Sequence, residues 1–185
     1  MTQKSNTALL VMDMQTVILD MVPEGKKIIP GVQKAIKMAR ANNIPVFFIR
    51  VCFRAGGPEI SPKNKSFSKL KPHLQGEGQN WEALTPELEI MDTDIILNKR
   101  RVSAFTGSDL EVVLRGHQIE HIVLTGVATS GVVLSTLREA ADKDYQITVI
   151  KDCCADNDPT VHQVLTDKVF VAQADVILLQ DWTPA

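Results

Sequence analysis

No stretch of this chain approaches the ~18 consecutive apolar residues that a membrane-spanning helix needs. Its polar opening, MTQKSNT, leads straight into a strand-like run with no apolar leader core before it. Neither a membrane nor a secretory route is expected, and a cytoplasmic setting is. Cysteine is scarce: the three residues are an odd set, Cys153 and Cys154 are neighbours that cannot pair without strain, and no CxxC or His/Cys ligand spacing occurs. That pattern fits a reduced compartment rather than a disulfide framework or a zinc site. Charge of one sign is also missing. Twenty Lys and Arg against 22 Asp and Glu leave a formal net charge of -2, so nucleic acid and anionic membranes are not expected partners. The densest basic run, NKRR at 98–101, adjoins an apolar strand and by itself reads as a solvated strand end. Internal repeats and low-complexity tracts are absent.

What is present is an ordinary globular composition, 44% hydrophobic and 23% charged over 185 residues, which suits one domain spanning 1–185 around a sizeable core. Six short apolar runs read as strands: 7–13, 44–53, 94–99, 119–126, 145–152 and 174–179. Helical patterns lie between them. One covers 28–43, with Val32, Ile36 and Ala39 on one face and Pro30 near its start. A second covers 107–117 with Ser108 or Gly107 as cap, a third follows residue 126, and a fourth covers 158–170 with Pro159 in its first turn. Residues 54–93 are irregular, with one short helix expected in NWEALTPEL; so long an insertion reads as a lid or a subunit interface. Strands alternating with helices predict a doubly wound α/β domain with a parallel sheet. Right-handed crossovers place every strand's carboxyl end on one edge, where such sheets bind ligands. Asp13 and Gln15 follow the first strand, Cys52 and Arg54 the second, Lys99 the third, and the 127–132 turn the fourth.

That last turn opens GVATSGVVLSTLREAA (126–141), a strand running into a helix through small residues. Val133, Leu137, Ala140 and Ala141 fall on one apolar stripe, whereas Val132 shares a stripe with Thr136, Glu139 and Lys143. A valine thus heads a polar stripe at the place where a reactive side chain would be useful.

The pieces LLVMDMQ (9–15), KRRVSAFTGSDLEVVLR (99–115), VLTGVATSGVVLSTLREAADKDY (123–145) and VIKDCCAD (149–156), in this order and spacing, resemble the isochorismatase-like hydrolases, often called cysteine hydrolases. The resemblance covers nearly the whole chain. It implies a three-layer fold of six mainly parallel strands in the order 3-2-1-4-5-6, a small-molecule substrate, no cofactor, and a homo-oligomer, dimer or higher. In the thiol-dependent branch the chemistry belongs to an Asp, a Lys and a Cys. Carried over by motif these are Asp13, Lys99 and Val132, because GVAT-x-x-C-V reads GVATSGVV here. A thiolate at a helix start has a lowered pKa; the Lys holds it as an anion and the Asp takes its proton. The resemblance also implies a cis peptide between Val127 and Ala128. It implies substrate contacts from the Val127, Ala128 and Thr129 turn, whose backbone amides form the oxyanion hole of that branch.

Val132 cannot form an acyl adduct, which removes the covalent amidase route. The Asp-x-His metal motif of the nicotinamidase-like members is missing from RVCFRAGGPE, so no metal is expected. The other branch cleaves a vinyl ether without a covalent intermediate: the Asp protonates the enol-ether carbon and water attacks the oxocarbenium-like centre. It carries a small residue where Val132 fills more space. The expected function is a hydrolase acting non-covalently on a small acid, ether or amide. Asp13 would be its general acid/base, Lys99 its electrostatic partner, and the 127–132 amides an anion site. The rival is a binding protein that kept the pocket and takes a small carboxylate.

Other residues carry weaker readings. Arg54 suits a substrate carboxylate or is simply surface. Gln15 and Phe105 are candidate pocket linings, Phe105 equally a core residue. Cys52 is the rival nucleophile, although a lone Cys on an apolar strand is usually a small buried hydrophobe. Cys153 and Cys154 are placed after the fifth strand. His162 reads as helix surface or subunit contact, and His73 has no assignable partner. Ser130 and Ser135 lack a recognisable His–Asp set.

Overall fold

The computed structural model describes residues 5–72 and 80–184. The strands are β1 (Thr7–Met12), β2 (Val46–Val51), β3 (Ile95–Lys99), β4 (His121–Val127), β5 (Gln146–Ala155) and β6 (Asp175–Ile177). They form one sheet in the order β3-β2-β1-β4-β5-β6, every pair parallel. Strand order reverses at β1, whose neighbours are β2 and β4, so the crevice at its carboxyl end is the switch point.

Both sheet faces are covered, which is why the central strands read as unbroken apolar runs. Successive side chains alternate between faces. Leu9, Val11, Phe48 and Val123 share one core with α2 (Ile29–Ala41), through Val32, Ile36 and Ala39. Leu10, Met12, Phe47 and Leu124 share the other with α3 (Leu110–Gly116) and α4 (Leu134–Ala141), through Leu114 and Leu137. No helix among the described residues is long and apolar enough to cross a membrane.

Several elements differ from expectation for local reasons. A helix α1 (Thr16–Met21) follows the first strand; at six residues with one buried side chain, Leu19, it shows no helical period in the sequence. NWEALTPEL forms no helix beyond a single tight turn at Pro86–Leu88, which Glu89 ends in the left-handed region. This stretch instead lies along the chain after β1. Thr85 N–H donates to Met14 O at 2.9 Å, Thr16 N–H donates to Ala83 O at 3.0 Å, and Gln15 pairs antiparallel with Leu84. Strand β5 runs three residues past its expected end, so Cys153 and Cys154 lie in the sheet, not after it; a register shift against β4 between Leu124 and Gly126 accommodates the extension. Helix α3 starts at Leu110, later than expected, with Ser108 Oγ accepting the Leu110 N–H at 3.2 Å. The last helical region is α5 (Pro159–Val164), capped by Asp158, followed by a widened turn over Leu165–Val169.

Candidate active site

Asp13 leaves β1 in the left-handed region, φ 53°, a conformation that Asp tolerates better than most side chains. Its N–H donates to Ile49 O at 2.8 Å, still part of the β1–β2 ladder. On the other side Gly126, φ 123°, brings β4 against β1 so closely that a Cβ there would lie 2.0 Å from Met12 O. Glycine is required at this point, immediately beside the residue that precedes Asp13.

Lys99 reaches across the end of β2 from the edge strand β3. Its Nζ lies 2.9 Å from Asp13 Oδ2 and donates to Arg101 O at 2.9 Å. With a side chain 2% exposed, it is a buried member of an ion pair and not a solvated strand end. Asp13 Oδ1 is buried and has no hydrogen-bond partner among the described residues. Burial raises the Asp13 pKa; the Lys99 charge, the Lys99 hydrogen bond and the Val51 amide pull it down, and burial prevails. Orphaning a buried oxygen costs about 1–3 kcal/mol, and a proton on the carboxyl lowers the charge that must be buried.

Gln15 is fully buried, and its amide is committed to backbone. Oε1 accepts the Val51 N–H at 2.8 Å, and Nε2 donates to Val51 O at 3.1 Å and to Trp81 O. It is therefore a clamp between segments and not the pocket lining expected of it. A cavity of about 310 Å³ lies beyond this clamp, lined among others by Val51, Cys52, Phe53, Leu70, Trp81 and Glu82. Cys52 Sγ donates to Glu82 Oε1 at 2.9 Å; burial and that carboxylate raise its pKa, so it stays a thiol. Arg54 stands at the rim of the same cavity, well exposed, its Nη1 2.6 Å from Glu59 Oε1.

The turn after β4 carries the cis peptide between Val127 and Ala128, and Thr129–Val133 form a wide turn leading into α4. Several of its polar groups have partners inside the protein. Ser130 N–H donates to Asp156 Oδ2 at 2.6 Å, and Gly131 and Val133 N–H donate to Ala128 O at 3.1 and 3.3 Å. Thr129 Oγ1 and His162 Nδ1 are 2.8 Å apart. The expected anion site is thus partly filled by Asp156, a carboxylate of the chain itself, and His162 is a half-buried partner of the turn and not helix surface. The expected polar stripe is corrected as well. Val132 and Thr136 are both buried, and Thr136 Oγ1 accepts the Ala104 N–H at 2.9 Å. The widened first turn breaks the simple helical phase on which the stripe was drawn.

Phe105 belongs to the core shared with Leu137 and Ala140, its ring 6.0 Å from that of Tyr145 and 5.6 Å from Lys143 Nζ, near the far end of α4. It takes the core place that was one of its two expected readings. Burial pushes the Cys153 thiol up to about 12 and the Cys154 thiol higher still, which leaves both inert. His73 lies outside the described residues. Among the described residues no group of three His, Cys, Asp or Glu side chains is placed to hold a metal ion. Glu82 and Trp81 carry no motif of their own; the signal for Asp156 was its place at the end of VIKDCCAD, just past the buried CCA of β5.

A doubly wound sheet with a buried carboxylate–ammonium pair at its switch point defines an α/β protein with a candidate catalytic edge. Residues 7–181 match the isochorismatase domain. The chain is 31% identical over 167 residues to the isochorismatase family protein YwoC of Bacillus subtilis (strain 168), covering 89% of this chain and 85% of that one. It is 32% identical over 169 residues to ureidoacrylate amidohydrolase RutB of Pantoea ananatis (strain LMG 20103), covering 79% and 68%. An isochorismatase family protein of Burkholderia thailandensis has the same fold, with a TM-score of 0.84 and 27% identity over 97% of this chain and 95% of that one. The chain belongs to the isochorismatase family.

Proposed function

We propose that the protein is a hydrolase that works without a thiol nucleophile, Asp13 serving as general acid/base and Lys99 as its electrostatic partner. The observation that carries this reading is the buried, unpartnered Oδ1 of Asp13, in a carboxyl whose pKa is raised. An acid that holds its proton more tightly than an ordinary aspartate is better suited to deliver it, and an oxygen with no partner among the described residues has bonding capacity left over. Lys99, 2.9 Å away on Oδ2, would stabilise the carboxylate left after transfer.

Val132 stands at the position of the family's thiol and is buried in the core, where it offers an apolar wall. The substrate is a small acid, ether or amide. An ether cleaved through protonation makes the fullest use of an acid at Asp13 and of a turn whose Ser130 amide is already occupied, since such cleavage develops no oxyanion. Substrate contacts are assigned to Val127, Ala128 and Thr129, with Arg54 at the cavity rim for a carboxylate. Likeness to an amidohydrolase supports hydrolysis as the reaction class.

Purified protein and Asp13→Asn, assayed over vinyl ethers, amides and esters, test the reading. Turnover of one class by the wild type, reduced about 10²–10⁴-fold in the variant, is expected. If the wild type turns nothing over while a small carboxylate raises its melting temperature, the protein is a binding protein and the reading fails.

A further inference from the structure

We propose that Gln15 is a positioning residue for Asp13: by capturing the Val51 N–H it keeps Asp13 Oδ1 without a protein partner, and by binding Val51 O and Trp81 O it ties that arrangement to the cavity wall. The inference rests on the reading of Asp13 as the acid.

In a parallel ladder each residue that donates to one neighbour accepts from the residue two further along. Asp13 N–H donates to Ile49 O, so in a continuing ladder Asp13 O would accept the Val51 N–H, and Val51 O would accept from residue 15. The left-handed turn at Asp13 ends β1 before those two rungs form. Gln15 supplies both from its side chain: Oε1 takes the Val51 N–H and Nε2 reaches Val51 O. A primary carboxamide has both an acceptor and two donor hydrogens to do this, and the second hydrogen is left for Trp81 O.

The consequence falls on the acid. The Val51 N–H is close enough to the Asp13 carboxyl to pull its pKa down, so Asp13 and Gln15 compete for one hydrogen. A carboxylate that receives a backbone N–H is stabilised as the anion. At 2.8 Å Gln15 holds that hydrogen in a full bond, and Oδ1 meets no donor among the described residues. Val51 and Trp81 both line the 310 Å³ cavity, so one side chain fixes the acid and the pocket wall together.

The test is a carbon-13 NMR titration of protein labelled at Asp carboxyls, the Asp13 resonance being identified by its loss in Asp13→Asn. In the wild type Asp13 titrates above the ordinary aspartate range. In Gln15→Leu the freed Val51 N–H turns to Asp13, and the proton affinity falls at least about tenfold, one pKa unit. Gln15→Glu, which keeps an acceptor for Val51, does not lower it. An unshifted titration in folded Gln15→Leu overturns the proposal. A second measurement needs no Gln15 variant: in the wild type the Val51 amide resonance should follow Asp13 titration by less than a direct hydrogen bond would cause, and a direct-bond-sized shift overturns the proposal. If Gln15→Leu shifts Asp13 but Asp13→Asn retains full turnover, the catalytic reading fails while the positioning role stands.

Discussion

Two turns meet at the carboxyl edge of the sheet, and they treat their polar groups in opposite ways. After β4, the Ser130 amide has the Asp156 carboxylate, the Thr129 hydroxyl has His162, and the Gly131 and Val133 amides share Ala128 O. After β1, Asp13 has one oxygen on Lys99 and one with no hydrogen-bond partner among the described residues. The first turn is shaped like a reactive platform but is partly closed by the chain's own groups. The second is unremarkable in shape but holds a group with unmet bonding capacity. Chemistry is to be sought where the inventory of hydrogen bonds is incomplete.

The sharpest way to break this contrast is to remove the cation. Lys99→Met leaves Asp13 buried with no counter-charge and is expected to destabilise the fold by about 3–5 kcal/mol in urea denaturation. A loss under about 1 kcal/mol would mean that the pair is not closed from water. On the closed turn, Asp156→Ala strips a charged acceptor from the Ser130 amide and should cost about 1.5–3 kcal/mol, read by the same measurement. Thr129→Val should cost about 1 kcal/mol through the lost contact with His162.

Acid dependence separates the two turns further. Asp13 binds its proton more tightly folded than unfolded, so it favours the fold below the unfolded value of about 3.9 and that contribution is lost as pH rises through the raised folded value. The stability of Asp13→Asn relative to wild type should therefore shift in the variant's favour as pH rises through that window. His162 behaves oppositely. Burial holds its pKa below the usual value against the pull of Asp156, so its contribution is full above about 6.5 and is lost as pH falls through the lowered folded value. His162→Gln should lack that acid-side loss. The smallest effect belongs to Arg54→Ala, an exposed ion pair with Glu59, which should change stability by no more than about 0.5 kcal/mol.

The sheet was largely legible because burial on both faces writes continuous apolar runs, and β1 with its six buried residues is the clearest case. Asp13 and Lys99 were legible as neighbours because parallel topology puts the ends of β1 and β3 on one edge. What the sequence hid were groups whose role depends on contacts far along the chain. Gln15 reads like any polar residue after a strand until Val51 and Trp81 are folded against it, 36 and 66 residues away. Asp156 meets Ser130 across 26 residues. The widened turn at Thr129–Val133 misled the stripe reading, since a 3.6-residue period assumes a regular start that this helix lacks.

Gly126 has a consequence for anyone who would redesign the protein. It bears no reactive atom, yet a single added carbon would collide with Met12 O at 2.0 Å and push apart the two strands that frame the acid. A position of the site that accepts no side chain is thus chemically blank. Libraries that diversify the pocket should hold residue 126 constant, because it works as the spacer that sets the gauge between β1 and β4.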